Sequence, residues 1–403
     1  MVMPVLVLAA IPAFAQLSLA DAQARTVAND VDVQTAIAAV RQKDAALALA
    51  RGSAVPHLVG DYVLNPQANA AAAGTIEQYT VTVGLNVSLN DIIGASPATS
   101  AAAADLLSAQ RNGEAAVLRA RERAIRLYFA ALQAIATESV RASDLAGAER
   151  DRDAASLRWR TGEAPQIDVV RADVSLAQAR AALVRAQADR ADAVDALASA
   201  TAVTAASLSA TGGALPAFPP VLDEARATQR ALAMRPELAS LLASVDARRA
   251  NVASARDSGI PSASVDAGYA TGTDTGIGVH GAAVSAHVDI PIAPGTNARV
   301  TSAQADVDIA SAQLIDERRT ILLEVTSAVR DERALESALR GADSARDEAA
   351  RALAAVETGY REGASSSLDV EEARRTYAQA ENDALAAQYA LAQARSTLEV
   401  MVP

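Results

Sequence analysis

The feature that most constrains this chain is an internal duplication. The segment WRTGEAPQIDVVRA (159–172) aligns without gaps on YREGASSSLDVEEA (360–373), which lies 201 residues further along. The identities are Arg160 with Arg361, Gly162 with Gly363, Asp168 with Asp369, Val169 with Val370 and Ala172 with Ala373. Near Pro56 and Pro261 the spacing between the copies is 205 residues instead. A chain with this pattern is expected to build two copies of one structural unit.

A second constraint is the alternation in YTVTVGLNVSLN (79–90), which recurs in VSAHVDIPI (284–292). Because successive side chains of a strand point to opposite faces, such a strand has one apolar and one polar face. The apolar face would hold Val81, Val83, Leu85 and Val87, and the polar face Thr80, Thr82, Asn86 and Ser88. The apolar face packs on a core in a soluble sheet and contacts lipid in a membrane barrel, so the alternation alone leaves both open.

Each copy is predicted to read helix, strand, loop, strand, long helix, tip and long helix. In the first copy the first helix is predicted at 32–51 and the two strands at 57–64 and 79–90. In the second copy the helix is predicted at 236–256 and the strands at 262–270 and 281–292. Long helices are predicted in the stretches without proline. In the first copy these lie between Pro97 and Pro165 and between Pro165 and Pro216, and in the second between Pro294 and Pro403. These assignments predict a first repeat at 16–210, a linker at 211–230 and a second repeat at 231–403.

The composition favours thin, closely packed helices. The chain is 51% hydrophobic but only 3% aromatic, so its apolar mass is mainly alanine, valine and leucine. Alanine recurs along both edges of AQARAALVRAQADRADAVDALASA (177–200), which predicts helix neighbours on two sides, as in a closed ring of antiparallel coiled coils. Four short strands cannot close a barrel, for which about eight are needed, so copies are expected to combine; three chains would supply twelve strands.

Several function classes lack support in the sequence. Lysine and arginine total 36 against 48 acidic residues, and this net charge of −12 argues against nucleic-acid binding. Three histidines, no cysteine and no spaced Ser/His/Asp set argue against an enzyme, and no cofactor is expected. His287 and Asp289 share a strand face, but without a third ligand they do not make a metal site. GIGVHG (276–281) matches a dinucleotide fingerprint, but a strand follows it, so a glycine-rich turn is expected.

The segment MVMPVLVLAAIPAFA predicts a cleaved signal peptide over residues 1–15. Its apolar stretch is followed by Ala13-Phe14-Ala15, an A-x-A cleavage pattern, which makes Gln16 the expected mature start. The stretch is shorter than the roughly 20 apolar residues that a spanning helix needs. The mature chain is therefore expected to be exported.

The order of these features resembles one protein family. Besides the doubled strand pattern and the tip segments, it includes the RPEL at 235–238 and LSLADAQARTVAND (17–30). Over nearly the whole mature chain these are similar to TolC-type outer-membrane efflux proteins. The resemblance implies a mostly α protein with a small membrane β part. In that family a trimeric, 12-stranded β-barrel, with four strands from each chain, continues into a long α-helical coiled-coil barrel. It also implies an outer-membrane location, with most of the chain in the periplasm.

The resemblance implies that the protein is the exit duct of a tripartite efflux system. Such a duct passively conducts small molecules (drugs, metals or metabolites) from a periplasmic adaptor and an inner-membrane pump across the outer membrane. A type I protein-secretion duct is the alternative within this class. A soluble periplasmic coiled-coil adaptor or scaffold is a further alternative, although adaptors carry one helical hairpin and this chain has two whole repeats.

The resemblance also assigns a gate and a tether at the helix tips. The family's acidic motif at the periplasmic entrance corresponds to DVEE (369–372), which makes Asp369 and Glu372 the candidate gate residues. A tyrosine before the tip glycine contacts an aspartate of the neighbouring helix pair in the family, which makes Tyr360 and Asp168 the candidate tether. For both aspartates, capping of a helix N-terminus is the competing interpretation.

The family also implies roles for the tip turns and for the strand faces. Gly162 and Gly363 are the candidate turn residues and adaptor-docking positions, although a plain turn glycine explains them equally well. An arginine that the family commonly has two residues after the glycine is replaced by Ser365. In the strand at 79–90, the apolar face is expected to contact lipid and the polar face to line a wet lumen.

Overall fold

The computed structural model of the chain describes residues 17–52, 57–69, 74–88, 97–205, 223–257, 261–274, 277–289 and 295–402. It is mostly helical with one small sheet, and the same order of elements occurs twice, which confirms the predicted fold class in these respects. The predicted signal peptide and residues 211–222 of the predicted linker lie outside the described residues.

Every element of the first repeat has a counterpart in the second. The first repeat consists of α1 (Leu19–Asn29), α2 (Val31–Gly52), β1 (His57–Asn69), β2 (Gly74–Ser88), α3 (Pro97–Arg160) and α4 (Gln166–Thr201). The second consists of α5 (Glu224–Met234), α6 (Pro236–Asp257), β3 (Ser262–Asp274), β4 (Ile277–Asp289), α7 (Thr296–Arg361) and α8 (Ser367–Met401).

The two spacings found in the sequence recur in the element bounds. α5, α6 and β3 begin and end 205 residues after α1, α2 and β1. The end of β2, the end of α3 and the start of α4 recur 201 residues later, in β4, α7 and α8. The two repeats therefore differ in length inside the β-hairpin, while α1 and α2 before it have the same lengths as α5 and α6.

The strands extend further into the hairpins than the sequence pattern predicts. In the first repeat, residues 65–69 and 74–78 of the predicted loop instead pair with each other, from Asn65↔Gln78 to Asn69↔Gly74. Residues 70–73 of that loop lie outside the described residues. In the second repeat, β4 begins at Ile277, so most of GIGVHG lies in a strand and the prediction of a turn there is wrong. Pairing of neighbouring strands is a backbone interaction, and it does not require the alternating apolar side chains by which the strands were located.

The sequence pattern also misses the short helices α1 and α5. α5 occupies residues 224–230 of the segment predicted as a linker, and it buries Ala227. α1 buries Ala22 and is capped by Ser18, whose hydroxyl accepts a hydrogen bond from the Asp21 amide. Helices of 11 residues are marginal in isolation, so packing of such buried faces stabilises them.

The long helices follow the proline-free stretches. α3 and α7 have 64 and 66 residues. α4 ends at Thr201, where Ala202 takes a left-handed conformation with φ of 52°. Alanines are frequent among the buried residues, as the low aromatic content predicts. Larger side chains form a buried cluster that includes Leu17, Ile125, Phe129, Leu132, Val194 and Leu197.

The chain divides into two compact units, and each is built from both repeats. One contains the described residues of 1–34, 115–235 and 320–403, and the other those of 35–114 and 236–319. The α3–α4 and α7–α8 turns lie in the first unit, and all four strands lie in the second. No helix in the described ranges combines the length and the apolar character needed to cross a membrane.

The four strands form one antiparallel sheet in the order β1-β2-β3-β4. The repeats are joined by β2 and β3, whose register runs from Thr80↔Gly272 to Ser88↔Ser264. Directly opposed residues of neighbouring strands share a face of the sheet. Two such rows across the sheet are Leu58–Leu85–Ala267–Val284 and Gly60–Val83–Tyr269–Ala282. The apolar face predicted for the strand at 79–90 thus extends over all four strands.

Two glycines oppose each other where the repeats join. Gly84 of β2 and Gly268 of β3 are directly paired. A Cβ atom added to Gly268 would lie 2.5 Å from the Cα atom of Gly84 and 2.5 Å from the carbonyl oxygen of Val83. Side-chain carbons do not approach other atoms so closely, so the two backbones can lie at this separation only because neither residue has a side chain.

We therefore expect Gly268→Ala to destabilise the protein by about 1–3 kcal/mol, because one of the two strands must move. Gly281→Ala is the matched control, since Gly281 lies on the same face and a Cβ atom there meets nothing within 4 Å. Equilibrium unfolding in detergent measures both variants. Equal stability of the two would contradict the close approach of β2 and β3.

Candidate functional site

The α3–α4 and α7–α8 hairpins reverse direction through the same backbone motif. At the first tip, the amides of Gly162 and Glu163 donate to the carbonyls of Trp159 and Arg158, at 3.0 and 2.8 Å. The second tip repeats both bonds around Gly363. This pattern is a Schellman motif, which needs a left-handed residue after the helix. The two glycines have φ of 82° and 79°, a region that glycine adopts without a steric penalty.

Asp369 forms a capping box at the start of α8. Its carboxylate accepts hydrogen bonds from the amide and the hydroxyl of Ser366, at 2.7 and 2.8 Å, and the Ser366 hydroxyl accepts one from the Asp369 amide at 3.3 Å. These bonds favour the ionised carboxylate and lower the pKa of Asp369. The capping interpretation therefore applies to Asp369, although its side chain stays exposed to solvent.

Asp168, its counterpart in the first repeat, does not cap a helix. The cap position of α4 is Pro165, and no side chain bonds to the free amides there. The Asp168 side chain is only 13% exposed, and its carboxylate accepts a hydrogen bond from the Ser367 hydroxyl at 2.8 Å and lies 3.6 Å from Arg171. The capping interpretation is wrong for Asp168, because its carboxylate is bound by the other hairpin.

Tyr360 also contacts the other hairpin, but through its ring. The guanidinium carbon of Arg158 in α3 lies 4.3 Å from the centre of the Tyr360 ring, which is cation–π geometry. Within the part of the chain that the structure describes, the Tyr360 hydroxyl makes no hydrogen bond to Asp168. The Tyr360–Asp168 tether therefore stays a prediction.

Ser365, in place of the family's arginine, packs against the end of α7. A Cβ atom added to Gly359 would lie 2.6 Å from the Ser365 hydroxyl oxygen, so the serine occupies the space that a side chain would need. The counterpart of Gly359 in the first repeat is Arg158, 201 residues earlier. At this pair of positions the first hairpin therefore has an arginine, which reaches the Tyr360 ring, and the second has a glycine, beside which Ser365 packs.

Two further contacts between the hairpins were missed by sequence reasoning. Arg374 of α8 pairs with Asp151 of α3 and with Glu357 of α7, whose carboxylate accepts a hydrogen bond from Arg374 at 2.6 Å. Ser175 of α4 donates to Glu371 of α8 at 2.7 Å. Charged residues after the acidic tip motif were the only sequence signal, and nothing in the sequence identifies partners so far apart along the chain.

The two candidate gate carboxylates lie on one face of α8. Asp369 and Glu372 are three residues apart, which places them on neighbouring turns of the helix. Both are exposed, and in the described ranges the Glu372 side chain forms no hydrogen bond or ion pair. This arrangement presents two carboxylates of each chain to solvent beside the tip.

The polar face of the sheet carries a second group of titratable side chains. The side-chain amide of Asn86 donates a hydrogen bond to the Asp266 carboxylate at 2.5 Å, and Nε2 of His287 lies 3.5 Å from the same carboxylate. His280 pairs with Thr271 on the opposite, apolar face. Among the residues that the structure describes, no three histidine, aspartate or glutamate side chains are grouped as metal ligands would be.

A family model described as outer membrane efflux protein matches residues 22–203 and 227–402. The two matched segments correspond to the two repeats, and together they cover most of the chain. A comparison with curated proteins finds no match.

Several solved structures share this fold over nearly the whole chain. A membrane protein from Pseudomonas aeruginosa is 20% identical with a TM-score of 0.84, over 96% of this chain and 92% of that one. The CmeC outer membrane channel of Campylobacter jejuni is 16% identical with a TM-score of 0.81, over 95% and 85%. The MtrE outer membrane channel of Neisseria gonorrhoeae, in its open state, is 20% identical with a TM-score of 0.77, over 96% and 89%.

The capping box is expected to hold the first turn of α8 in a pH-dependent way. Because the pKa of Asp369 is lower in the folded chain than in an unfolded one, the ionised carboxylate stabilises the turn above about pH 4. That stabilisation is lost as the pH falls through the lower, folded pKa. Amide protection factors at the start of α8, measured by hydrogen–deuterium exchange, should stay constant from about pH 7 to 5 and decline below about pH 4.

Two neighbouring serines give a matched pair of variants for this measurement. Ser366→Ala removes the cap and should lower the protection of the α8 start at neutral pH. Ser367→Ala removes the bond to Asp168 but leaves the capping box intact, so protection should persist. If both variants were protected equally, the capping box would not be what holds this turn.

Proposed function

Since this chain belongs to the outer membrane efflux protein family, we propose that it is the exit duct of a tripartite efflux system. It conducts small molecules passively across the outer membrane. The energy comes from an inner-membrane pump, which the duct reaches through a periplasmic adaptor. A soluble adaptor would need one helical hairpin, whereas the family match extends over both repeats.

The observation that carries this proposal is the apolar face of the sheet. Large side chains on it are exposed within the chain, 77% for Leu58 and 76% for Val284. A contiguous exposed apolar surface marks a membrane or protein contact. Lipid fits it best, because the opposite face is polar, as in strands with lipid on one side and water on the other. In this proposal Val81, Val83, Leu85 and Val87 contact lipid, and Thr80, Thr82, Asn86 and Ser88 line the lumen.

A homotrimer completes the membrane part of the duct. The sheet of one chain ends in two edges, β1 and β4, and its four strands are fewer than the roughly eight that a closed barrel requires. When β4 of one chain pairs with β1 of the next, three chains close a barrel and no edge remains. The long helices of the three chains form the periplasmic tunnel.

The helix tips form the gate at the periplasmic end. Three copies of Asp369 and Glu372 place six carboxylates around one opening, which attracts cations and repels anions. The exposure of both side chains on one face of α8 supports this role. Gly162 and Gly363 shape the two tips on which the adaptor docks.

Planar-bilayer recording tests the duct and its gate separately. The protein should form cation-preferring channels, and Glu372→Gln should weaken the preference without disturbing the capping box at Asp369. Asp192→Asn, at an exposed position of α4 away from the tip, is the control and should change nothing. Absence of any conductance would overturn the duct. Unchanged selectivity in Glu372→Gln would exclude that residue from the gate.

The contacts between the two hairpins hold the gate in its resting position. Arg374 carries the largest part of this role, because it lies between carboxylates of α3 and α7, those of Asp151 and Glu357. Without its charge these carboxylates would repel each other across the two hairpins. The Ser367–Asp168 and Ser175–Glu371 hydrogen bonds add neutral donors to the same boundary.

Arg374→Met should therefore raise the open probability in single-channel recordings, since it keeps the aliphatic stem and removes the charge. Arg351→Met is the matched control, because Arg351 is exposed and pairs with Glu348 of its own helix. Equal open probabilities in the two variants would show that Arg374 does not hold the tips together.

A further inference from the structure

The two repeats carry an ion pair at the same place with opposite polarity. Asp30 separates α1 from α2, and its counterpart Arg235, 205 residues later, separates α5 from α6. Asp30 pairs with Arg123 of α3 at 2.5 Å, and Arg235 pairs with Glu324 of α7 at 3.0 Å. Arg123 and Glu324 are themselves counterparts, 201 residues apart. The helix break thus carries the anion in the first repeat and the cation in the second.

The burial of the two pairs is also matched. The side chain at each helix break is buried, with 2% exposure for Asp30 and 8% for Arg235. Its partner on the long helix is half-exposed in both cases, at 46% for Arg123 and 44% for Glu324. A buried charge that loses its partner is strongly destabilising. Each break therefore needs the opposite charge at this one position of a long helix.

The local backbone chemistry of the two breaks differs. Asp30 also caps α2, because its second carboxylate oxygen accepts hydrogen bonds from the amides two and three residues further on. Arg235 cannot cap α6, but Pro236 follows it and has no amide hydrogen to satisfy. Arg235 instead donates to the Met401 carbonyl at the end of α8, at 3.3 Å. Both breaks are held to a long helix, although only one of them is capped.

We propose that this inverted ion pair assigns each helix break to the long helix of its own repeat. The α1–α2 and α5–α6 breaks occupy equivalent places in the order of elements, and each is paired with the long helix of its own repeat, α3 or α7. On the wrong helix Asp30 would face Glu324, and Arg235 would face Arg123. Each mismatch places a buried charge beside a like charge, which disfavours the exchange of these segments between repeats.

The pairing is unusual among the charged contacts of the chain. Within the described residues, no other ion pair has a counterpart in the second repeat that is also an ion pair. A contact at equivalent positions with its charges exchanged can distinguish the two sites, as complementary charges select partners in coiled coils. The role assigned to it concerns folding, and it does not depend on conduction or on a trimer.

The test changes the polarity of one pair while keeping both pairs. In the variant Arg235→Asp/Glu324→Arg, both repeats carry the polarity of the first repeat, so wrong docking no longer brings like charges together. Charge then no longer opposes docking on the wrong helix, and the yield of native chain on refolding should fall below that of the unchanged protein. Native chain is measured by hydrogen exchange at α1 and α5 after dilution from denaturant.

The control inverts both pairs. The variant Asp30→Arg/Arg123→Glu/Arg235→Asp/Glu324→Arg again gives the repeats opposite polarities, and it should refold in higher yield than the two-residue variant. A purely structural role predicts the reverse order, because further buried substitutions add their own costs. A two-residue variant that refolds like the native chain would overturn the proposal.

A third comparison leaves both breaks, and the cap at Asp30, unchanged. The variant Arg123→Glu/Glu324→Arg exchanges only the residues on the long helices. Each helix break then meets a like charge on the long helix of its own repeat and an opposite charge on that of the other repeat. Arg123→Met/Glu324→Met removes both pairs without favouring wrong docking. The charge-exchanged variant should refold in lower yield than the neutral one. Equal yields would show that charge matching does not direct the docking.

Discussion

Backbone pairing between β2 and β3 is the interaction on which the rest of the structure depends. It joins the sheet of the first repeat to that of the second, and the contact between Gly84 and Gly268 lets the two strands approach closely. With this ladder in place, the two hairpins continue one another and all four strands present apolar residues on one face. A sheet divided in this way suits lipid on one side and water on the other. The proposed lipid contact therefore follows from the joining of the repeats and not from either hairpin alone.

Duplication supplies two copies of every element, and the proposed functions reside in the differences between the copies. Asp168 and Asp369 are counterparts, yet Asp369 is bound by Ser366 of its own helix and Asp168 by Ser367 of the other hairpin. The difference arises from the residue before each helix, because a serine can cap α8 whereas Pro165 has no side-chain acceptor for α4. One repeat thus keeps its carboxylate at an exposed tip, and the other uses it to hold the two tips together.

Burial separates two roles for charge in this chain. At the tips the carboxylates of Asp369 and Glu372 are exposed, and in the proposed gate they act through the field that they add to an opening. At the helix breaks Asp30 and Arg235 are buried, so an unmatched partner there would be costly enough to discriminate between two docking sites. In the two proposals, residues of the same types therefore serve conduction at one place and correct folding at another.

The sequence by itself determined the duplication, the long helices and the apolar face of the strand at 79–90. Each of these is written locally, as a repeated segment, an absence of proline or an alternation of side chains. The tertiary structure decided where the strands end, because backbone pairing continues from Asn65 to Asn69 without an apolar pattern. It also decided which charges meet, such as Arg374 with Asp151 or Arg123 with Asp30. These partners are far apart along the chain, and an ion pair between them leaves no periodic signal, so only the packing of the helices brings them together.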